Sequence, residues 1–289
     1  MTLTLTPKQL AELVTVMPSL PQVYMRLSEV VEDPRSSLRA IEQVVFLDAA
    51  LAGRLLRLAN SAFFGFPAHV DTISRAITLV GTRQLRDLAL ATSVKALFKG
   101  LSPRHVTMTS FWRHGVTCGL AARALASWRR ETNPEQYFVA GLLHDLGRLV
   151  LYLKMPEEMG RALEEAANTG EPLYAVEQRL LGFDHAAVSG ELLRHWNLPA
   201  YLSAAVAWHH APDRAGPHAM MASIVHVADL LANASGSGSS GESLVPPLNV
   251  AAWQRLGVPE TVIAPTMSLV RQQVADTLSA LFGEESDPA

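Results

Sequence analysis

Hydrophobic residues recur along this chain at steps of three and four, the spacing that lines one face of a helix. Val23, Leu27, Val30 and Val31 form one such face, and Leu38, Ile41, Val44 and Val45 a second. Leu51, Leu55, Leu56 and Leu58 make a third, and Leu85, Leu88, Ala89, Thr92 and Leu97 a fourth. Near the carboxy end Met267, Val270, Val274, Leu278 and Leu281 repeat the pattern within Pro265 to Leu281. No stretch alternates apolar and polar residues between hairpin turns, so the pattern predicts an all-α fold.

Polar punctuation sets the expected helix ends. Thr6-Pro7 starts a first helix reaching Val14, with threonine as cap and proline at the first helical position. Met17 to Pro21 reads as a turn, with Pro21 opening the next helix and Asp33-Pro34 ending it. Ser37 and Asp48 cap two more, Asp71-Thr72 restarts helix through Leu79, and Gly81-Thr82-Arg83 introduces Gln84 to Phe98. Ser110 is the expected cap of a long helix from Phe111 to Trp128, and Asn133-Pro134-Glu135 opens the one that delivers Phe138 to Asp145. Further starts lie at Met155-Pro156 and after Pro172, and Asp184 caps Ala186 to Trp196. Ala200 to His210 reads as one helix stopped by Pro212, and Ala219 to Ala234 as another. Ser235 to Gly241 contains only serine and glycine and reads as a solvated, flexible spacer. The last helix is expected to dock on the core rather than pair with a second subunit.

Composition narrows the function classes. With 289 residues, 49% hydrophobic, the chain can bury one large core or two small ones. A formal charge of −3 gives no electrostatic reason to expect a nucleic-acid partner. The single cysteine, Cys118, excludes an internal disulfide and fits a reducing compartment. Met1 to Leu20 lacks a basic start followed by an apolar run, so no signal peptide is expected. No run approaches the roughly 18 uninterrupted apolar residues of a membrane span. A cytoplasmic protein without a membrane partner is the expectation.

The chemistry is concentrated at Phe138 to Val150, where an apolar run is interrupted by His144-Asp145. A histidine and a carboxylate in so hydrophobic a setting are costly unless hydrogen-bonded, paired or bound to a metal. Imidazole with carboxylate suits a transition metal or zinc better than calcium. Other histidines fall at helix ends. His114 lies early in a long helix, with Cys118 one turn on, and Cys118 is expected to be a buried apolar residue rather than a ligand. His185 follows the Asp184 cap, His209-His210 precedes Pro212, and His226 and Asp229 stand three apart on one helix face. Asn60 and Ser61 are expected to serve as ordinary helix-end residues. His195 is expected to be a partly exposed helix-end residue, and His69, His105 and His218 are given no role.

Leu20-Pro21-Gln22-Val23, Leu47 to Gly65, Ile73 to Ile77, Gly81 to Arg86, Phe111 to His114 and Ala140 to Gly147, in that order, resemble the HDOD family. That family is a bacterial signalling relative of the HD metal-dependent phosphohydrolases. The resemblance covers roughly residues 15 to 232. It implies an amino-terminal helical half at 1–100 packed on an HD-like helical half at 105–234. A Gly/Ser loop at 235–245 and a helical extension at 250–283 follow.

By the same resemblance His114, His144, Asp145 and Asp229 match the metal-ligand order of HD phosphohydrolases. His185 and either or both of His209 and His210 match the added histidines of binuclear relatives such as the HD-GYP cyclic-di-GMP phosphodiesterases. One or two divalent ions of iron, zinc, manganese or nickel are implied, with Asp145 as the bridging carboxylate, in sites that activate water for attack on phosphorus. The same residues equally describe a network of buried His and Asp joining helices. Two departures count against catalysis: Ala211-Pro212-Asp213 stands where Gly-Tyr-Pro would follow, and Arg148 replaces the usual lysine. No phosphate-binding glycine loop, Gly-x-Ser-x-Gly or Cys-His nucleophile is present. The expected function is a regulatory module acting on signalling proteins, without significant catalysis. The rival is a metal-dependent phosphohydrolase of a cyclic dinucleotide or other nucleotide, and a nucleotide ligand or an oligomer is compatible with either.

Overall fold

The computed structural model describes residues 5–13, 22–98 and 103–283, and among these no strand occurs. The expected turn at Met17 to Pro21, the last residue of the first expected helix, Val14, the Leu20-Pro21 start of the family resemblance and most of the Met1 to Leu20 leader reading lie outside the described residues. Two compact units are present. One comprises Met1–Val16 and Leu101–Val270, the other Met17–Gly100 and Arg271–Ala289.

The second unit is built from α2 (Gln22–Glu32), α3 (Leu38–Phe46), α4 (Ala49–Ala59), α5 (Ile73–Val80) and α6 (Thr82–Leu97). Its helix starts obey local chemistry: Ser37, Asp48 and Thr72 each accept the backbone N–H three residues on, capping α3, α4 and α5. Asn60 closes α4 and holds the following loop, accepting from Val70 N at 2.7 Å and donating to Val70 O and Leu56 O. The buried Ser61 hydroxyl donates to Leu58 O. Both residues thus do the helix-end work expected of them.

The larger unit contains α1 (Pro7–Leu13), α7 (Met108–Trp128), α8 (Pro134–Leu143), α9 (Leu146–Lys154), α10 (Pro156–Thr169), α11 (Leu173–Leu181), α12 (His185–His195), α13 (Ala200–Ala207), α14 (Ala219–Ser235) and α15 (Val250–Leu256). Here α1 packs on α12 and α9, so it belongs with the HD-like part and not with the first hundred residues. The cap of α7 is Thr107, whose side chain accepts from Ser110 N, so the helix starts three residues before the sequence-based start. The helix starting at Ala200 ends at Ala207, which leaves His209 and His210 on the turn before a 3₁₀ segment, Pro212–His218. The proline acts through this 3₁₀ start, and the α-helix stops earlier than the proline rule alone required.

Helices α7 and α8 pack most closely because both present glycine at the crossing. A Cβ on Gly141 would lie 2.8 Å from the Gly119 Cα, and one on Gly119 would lie 2.7 Å from the Phe138 carbonyl oxygen. Such approach brings His114 on α7 beside His144 at the end of α8, with ring centroids 5.3 Å apart. The last helix, α16 (Ile263–Phe282), passes at Arg271 into the second unit, where Asp276 and Gln273 hydrogen-bond the backbone of Ala62. It docks on its own chain, as expected.

The serine–glycine run is not a solvated spacer. Ser239 N donates to Ser110 Oγ at 2.8 Å, and Thr117 Oγ1 donates to Ser237 Oγ at 3.2 Å. Tyr152 donates to the Ser240 carbonyl at 2.8 Å, and the Ser240 side chain is fully buried. Glu242 then accepts from Leu173 N at the start of α11, where the helix end favours a carboxylate. Only glycine fits at 238, because a Cβ there would collide with the Ser110 carbonyl and the His114 backbone nitrogen. Small residues let this strap lie flat on α7 and α9, so their purpose is close approach.

Candidate metal centre

Helix ends of the larger unit converge on one buried cluster. His144 is the C-cap of α8 and Asp145 the N-cap of α9, but the Asp145 side chain makes no capping bond, so its carboxylate is available to the interior. His185 opens α12 behind the Asp184 cap, which accepts from Ala187 N. Asp229 and His226 come from α14. Gly147 seats α9 on α12: a Cβ there would collide with the His185 carbonyl oxygen, and its N–H donates to Ser189 Oγ at 2.7 Å.

All seven residues singled out in the sequence meet here. His114, His144, Asp145, His185, His209 and Asp229 are at most 4% exposed, and His210 is half-buried. Two donor sets share Asp145. His114 Nε2 and His144 Nε2 lie 3.2 and 3.3 Å from Asp229 Oδ1, and 3.6 and 3.3 Å from Asp145 Oδ2. The other Asp145 oxygen, Oδ1, lies 2.9 Å from His185 Nε2, which is 3.0 Å from His210 Nε2. The His209 ring lies between the sets, with centroids 5.0 Å from His144 and 3.9 Å from His210. Ligand-type atoms of His114, His144 and Asp229, of His144, Asp145 and His209, and of His185, His209 and His210 each fall within 4.8 Å of one another.

The backing of the imidazoles fits a metal. His144 Nδ1 donates to Gly141 O at 2.7 Å, and His209 Nδ1 donates to Val206 O at 2.8 Å. With Nδ1 committed to a carbonyl, Nε2 is the nitrogen each ring turns towards the cluster, the arrangement in which outer partners orient a ligating histidine. His209 Nε2 has no hydrogen-bond partner, and the Nε2 atoms of His114 and His144 meet only the Asp145 and Asp229 carboxylates, at 3.2–3.6 Å. A buried polar atom left like His209 Nε2 costs about 1–3 kcal/mol, and a cation beside it removes that cost. His226 supports the set from outside: its Nδ1 donates to His209 O, and its Nε2 accepts from Asn249 N. His195 is exposed, as expected, and Cys118 is fully buried, with burial pushing its thiol up.

Charges around the cluster are mutually compensating. Burial pushes the Asp145 carboxyl up, but Arg148, His144 and His185 outweigh it and hold it well below the usual range. Burial likewise opposes ionisation of Asp229, and His114 and His144 overcome it. For His185, burial and Arg148 push down while Glu177 and Asp145 push up, and the imidazole ends at about 9. Burial and the neighbouring His144 and His185 drive His209 to about 3, leaving it neutral.

Two buried partners complete the cluster: Glu177, not singled out in the sequence, and Arg148, noted there only as a replacement for lysine. Glu177 on α11, fully buried, accepts from His185 Nδ1 at 2.6 Å and from its backbone N–H at 2.8 Å. Arg148, 2% exposed, reaches Glu177 at 3.4 Å, Asp145 at 3.6 Å and Ser240 Oγ at 2.7 Å. A glutamate facing inward on an otherwise apolar side of α11, with Leu173, Val176 and Leu181, was the one available signal for Glu177.

No helix among the described residues is long and apolar enough to cross a membrane. The HDOD domain family profile matches residues 17–212. A solved HDOD domain protein with unknown function from Geobacter sulfurreducens superposes with a TM-score of 0.78 at 21% identity, over 95% of this chain and 98% of that one. A Shewanella amazonensis SB2B structure carrying the provisional name phosphohydrolase is 25% identical with a TM-score of 0.72, over 94% and 97%. An uncharacterized protein of Treponema pallidum (strain Nichols) is 26% identical over 216 residues, which are 72% of this chain and 41% of that protein. The chain thus spans about two-fifths of that relative's length. With helices throughout its described residues and this family match, the chain belongs to the HDOD domain family.

Proposed function

We propose that this HDOD protein is a signalling module that holds a divalent cation in a sealed centre and acts through contacts with other proteins, without significant turnover. The observation that carries this reading is the closure of the centre. Arg148, the cation best placed to meet a substrate phosphate, is engaged by Asp145, Glu177 and Ser240 and is almost fully buried. The strap at Ser237 to Glu242 is bonded across α7, α9 and the start of α11. A phosphodiester would have to displace both. Leu38, Phe46 and Leu47 in the other unit stay more than half exposed and suit an apolar partner surface.

His114, His144, Asp145 and Asp229 are the residues that would hold a cation, with His185, His209 and His210 as a second set. A cation bound there supplies Lewis acidity. The chain's own groups orient the ligands through Gly141 O, Val206 O and Glu177 and exclude water around them. A second reading, phosphodiester hydrolysis in the cytoplasm, is favoured by the placing of the two Asp145 oxygens towards different histidine sets. The test is to incubate metal-loaded protein with a panel of cyclic dinucleotides and nucleotides, beside Asp145→Ala. No turnover is expected in either. Hydrolysis that disappears in Asp145→Ala replaces the signalling reading with the enzymatic one.

A further inference from the structure

The two donor sets do not have equal neighbours. The guanidinium of Arg148 lies against His185, with Nη2 3.1 Å from Nδ1 and 3.3 Å from Nε2. It also reaches Asp145 and Glu177, and Ser240 fixes its far side. Its charge is permanent, because arginine does not lose its proton in proteins. His114, by contrast, has the Asp229 and Asp145 carboxylates beside its Nε2, at 3.2 and 3.6 Å, and no guanidinium against it.

We propose that Arg148 is the resident cation of the His185, His209 and His210 position, so that the centre holds one divalent ion per chain, at His114, His144, Asp145 and Asp229. The inference rests on the metal-holding part of the function proposed above. Two buried carboxylates, Asp145 and Glu177, pair with the guanidinium beside His185, whereas Asp229 stands with His114 and His144 on the other side of the cluster. The His185 side therefore already has a cation of its own, while Asp229, beside His114 and His144, has no guanidinium or ammonium against it. A second ion at His185 would bring its charge against that guanidinium in a dry interior, where like charges repel strongly. It would also sit beside a guanidinium that has no room to withdraw, since the strap holds it from behind. The departure from lysine matters for this reason. A planar fork can serve Asp145, Glu177 and Ser240 together, which a point-charge ammonium does less well.

The experiment counts ions. The full chain is stripped with chelator, equilibrated with excess Mn(II), desalted and analysed for manganese per chain, with electron paramagnetic resonance on the same samples. One ion and an uncoupled Mn(II) spectrum are expected for the wild type. For Arg148→Met, folded by circular dichroism, two ions and an exchange-coupled spectrum are expected. Two ions in the wild type, or one in folded Arg148→Met, overturn the proposal and leave the metal-holding module intact. No ion in the wild type overturns the metal-holding reading itself, so the two failures give different counts. Should Arg148→Met fail to fold, the wild-type count at saturation still decides between one ion and two.

Discussion

Both units bury polar side chains, but they satisfy them differently. In the second unit the buried Ser61 hydroxyl is spent on Leu58 and the buried Arg86 on Asp87 at 2.8 Å and Glu32 at 3.2 Å, while the exposed Asn60 amide bonds Val70 and Leu56. These are closed pairs, complete without a ligand. In the larger unit His114, His144 and His209 are held by tight packing and, for two of them, by a carbonyl behind the ring. Yet the inward nitrogen of His209 has no hydrogen-bond partner, and those of His114 and His144 meet only the Asp145 and Asp229 carboxylates. Packing that fixes a side chain while leaving its donor atom unused is preparation for something the chain does not itself contain. Burial of polar groups alone does not mark a site; the direction of the unsatisfied atoms does.

The comparison breaks most visibly if metal removal costs nothing. A ligand held at a thousandfold excess over its Kd stabilises a fold by about 4 kcal/mol. For a unit of this size that corresponds to a fall in Tm of roughly 10 °C on chelation. Differential scanning calorimetry with and without chelator reads the shift, and an unchanged transition would place the larger unit in the same class as the second.

A smaller effect concerns pH. With metal stripped, the imidazole of His185 titrates at about 9 in the folded protein, above its ordinary value near 6.5. The sign follows: its stabilisation is complete below about pH 6.5 and is lost as pH rises through 9, in total about 3 kcal/mol. Chelated protein melted between pH 6 and 9.5 should therefore lose stability towards the alkaline end. Glu177→Gln, which removes the carboxylate facing Nδ1, should flatten that slope, and an unchanged slope would locate the proton elsewhere.

The smallest effects come from a matched pair of amide truncations, one per unit. Asn60→Ala should cost about 1–3 kcal/mol by leaving the Val70 backbone unpaired, with no change in metal content. Asn233, whose Nδ2 donates to Asp229 Oδ1 at 2.8 Å, supports a ligand from outside. Asn233→Ala should weaken metal binding about tenfold with little loss of stability. Competition against a coloured chelator and urea melts, run on both variants, separate the two behaviours; equal effects on metal binding would erase the distinction.

How much was legible in the sequence follows from the range of the forces involved. Local rules located most helices, because a cap such as Ser37, Asp48 or Asp184 bonds a backbone N–H only three residues away. The order of His114, His144-Asp145, His185, His209-His210 and Asp229 was likewise readable, since it is a property of the chain. Where Thr107 capped α7 instead of Ser110, two acceptable caps stood three residues apart, and local chemistry could not choose between them. Glu177 and Arg148 were invisible as a pair because the partners that make them affordable in a dry interior, His185, Asp145 and Ser240, come from other elements. The serine–glycine run misled for the same reason: composition reports flexibility, whereas only the surface of α7 and α9 beneath it shows that small side chains permit contact. The sequence by itself determined the helices and the ligand types in their order. The tertiary structure decided which nitrogens face the cluster, which cation stands beside them and what closes over them, because desolvation and charge pairing depend on distances between residues far apart in the chain.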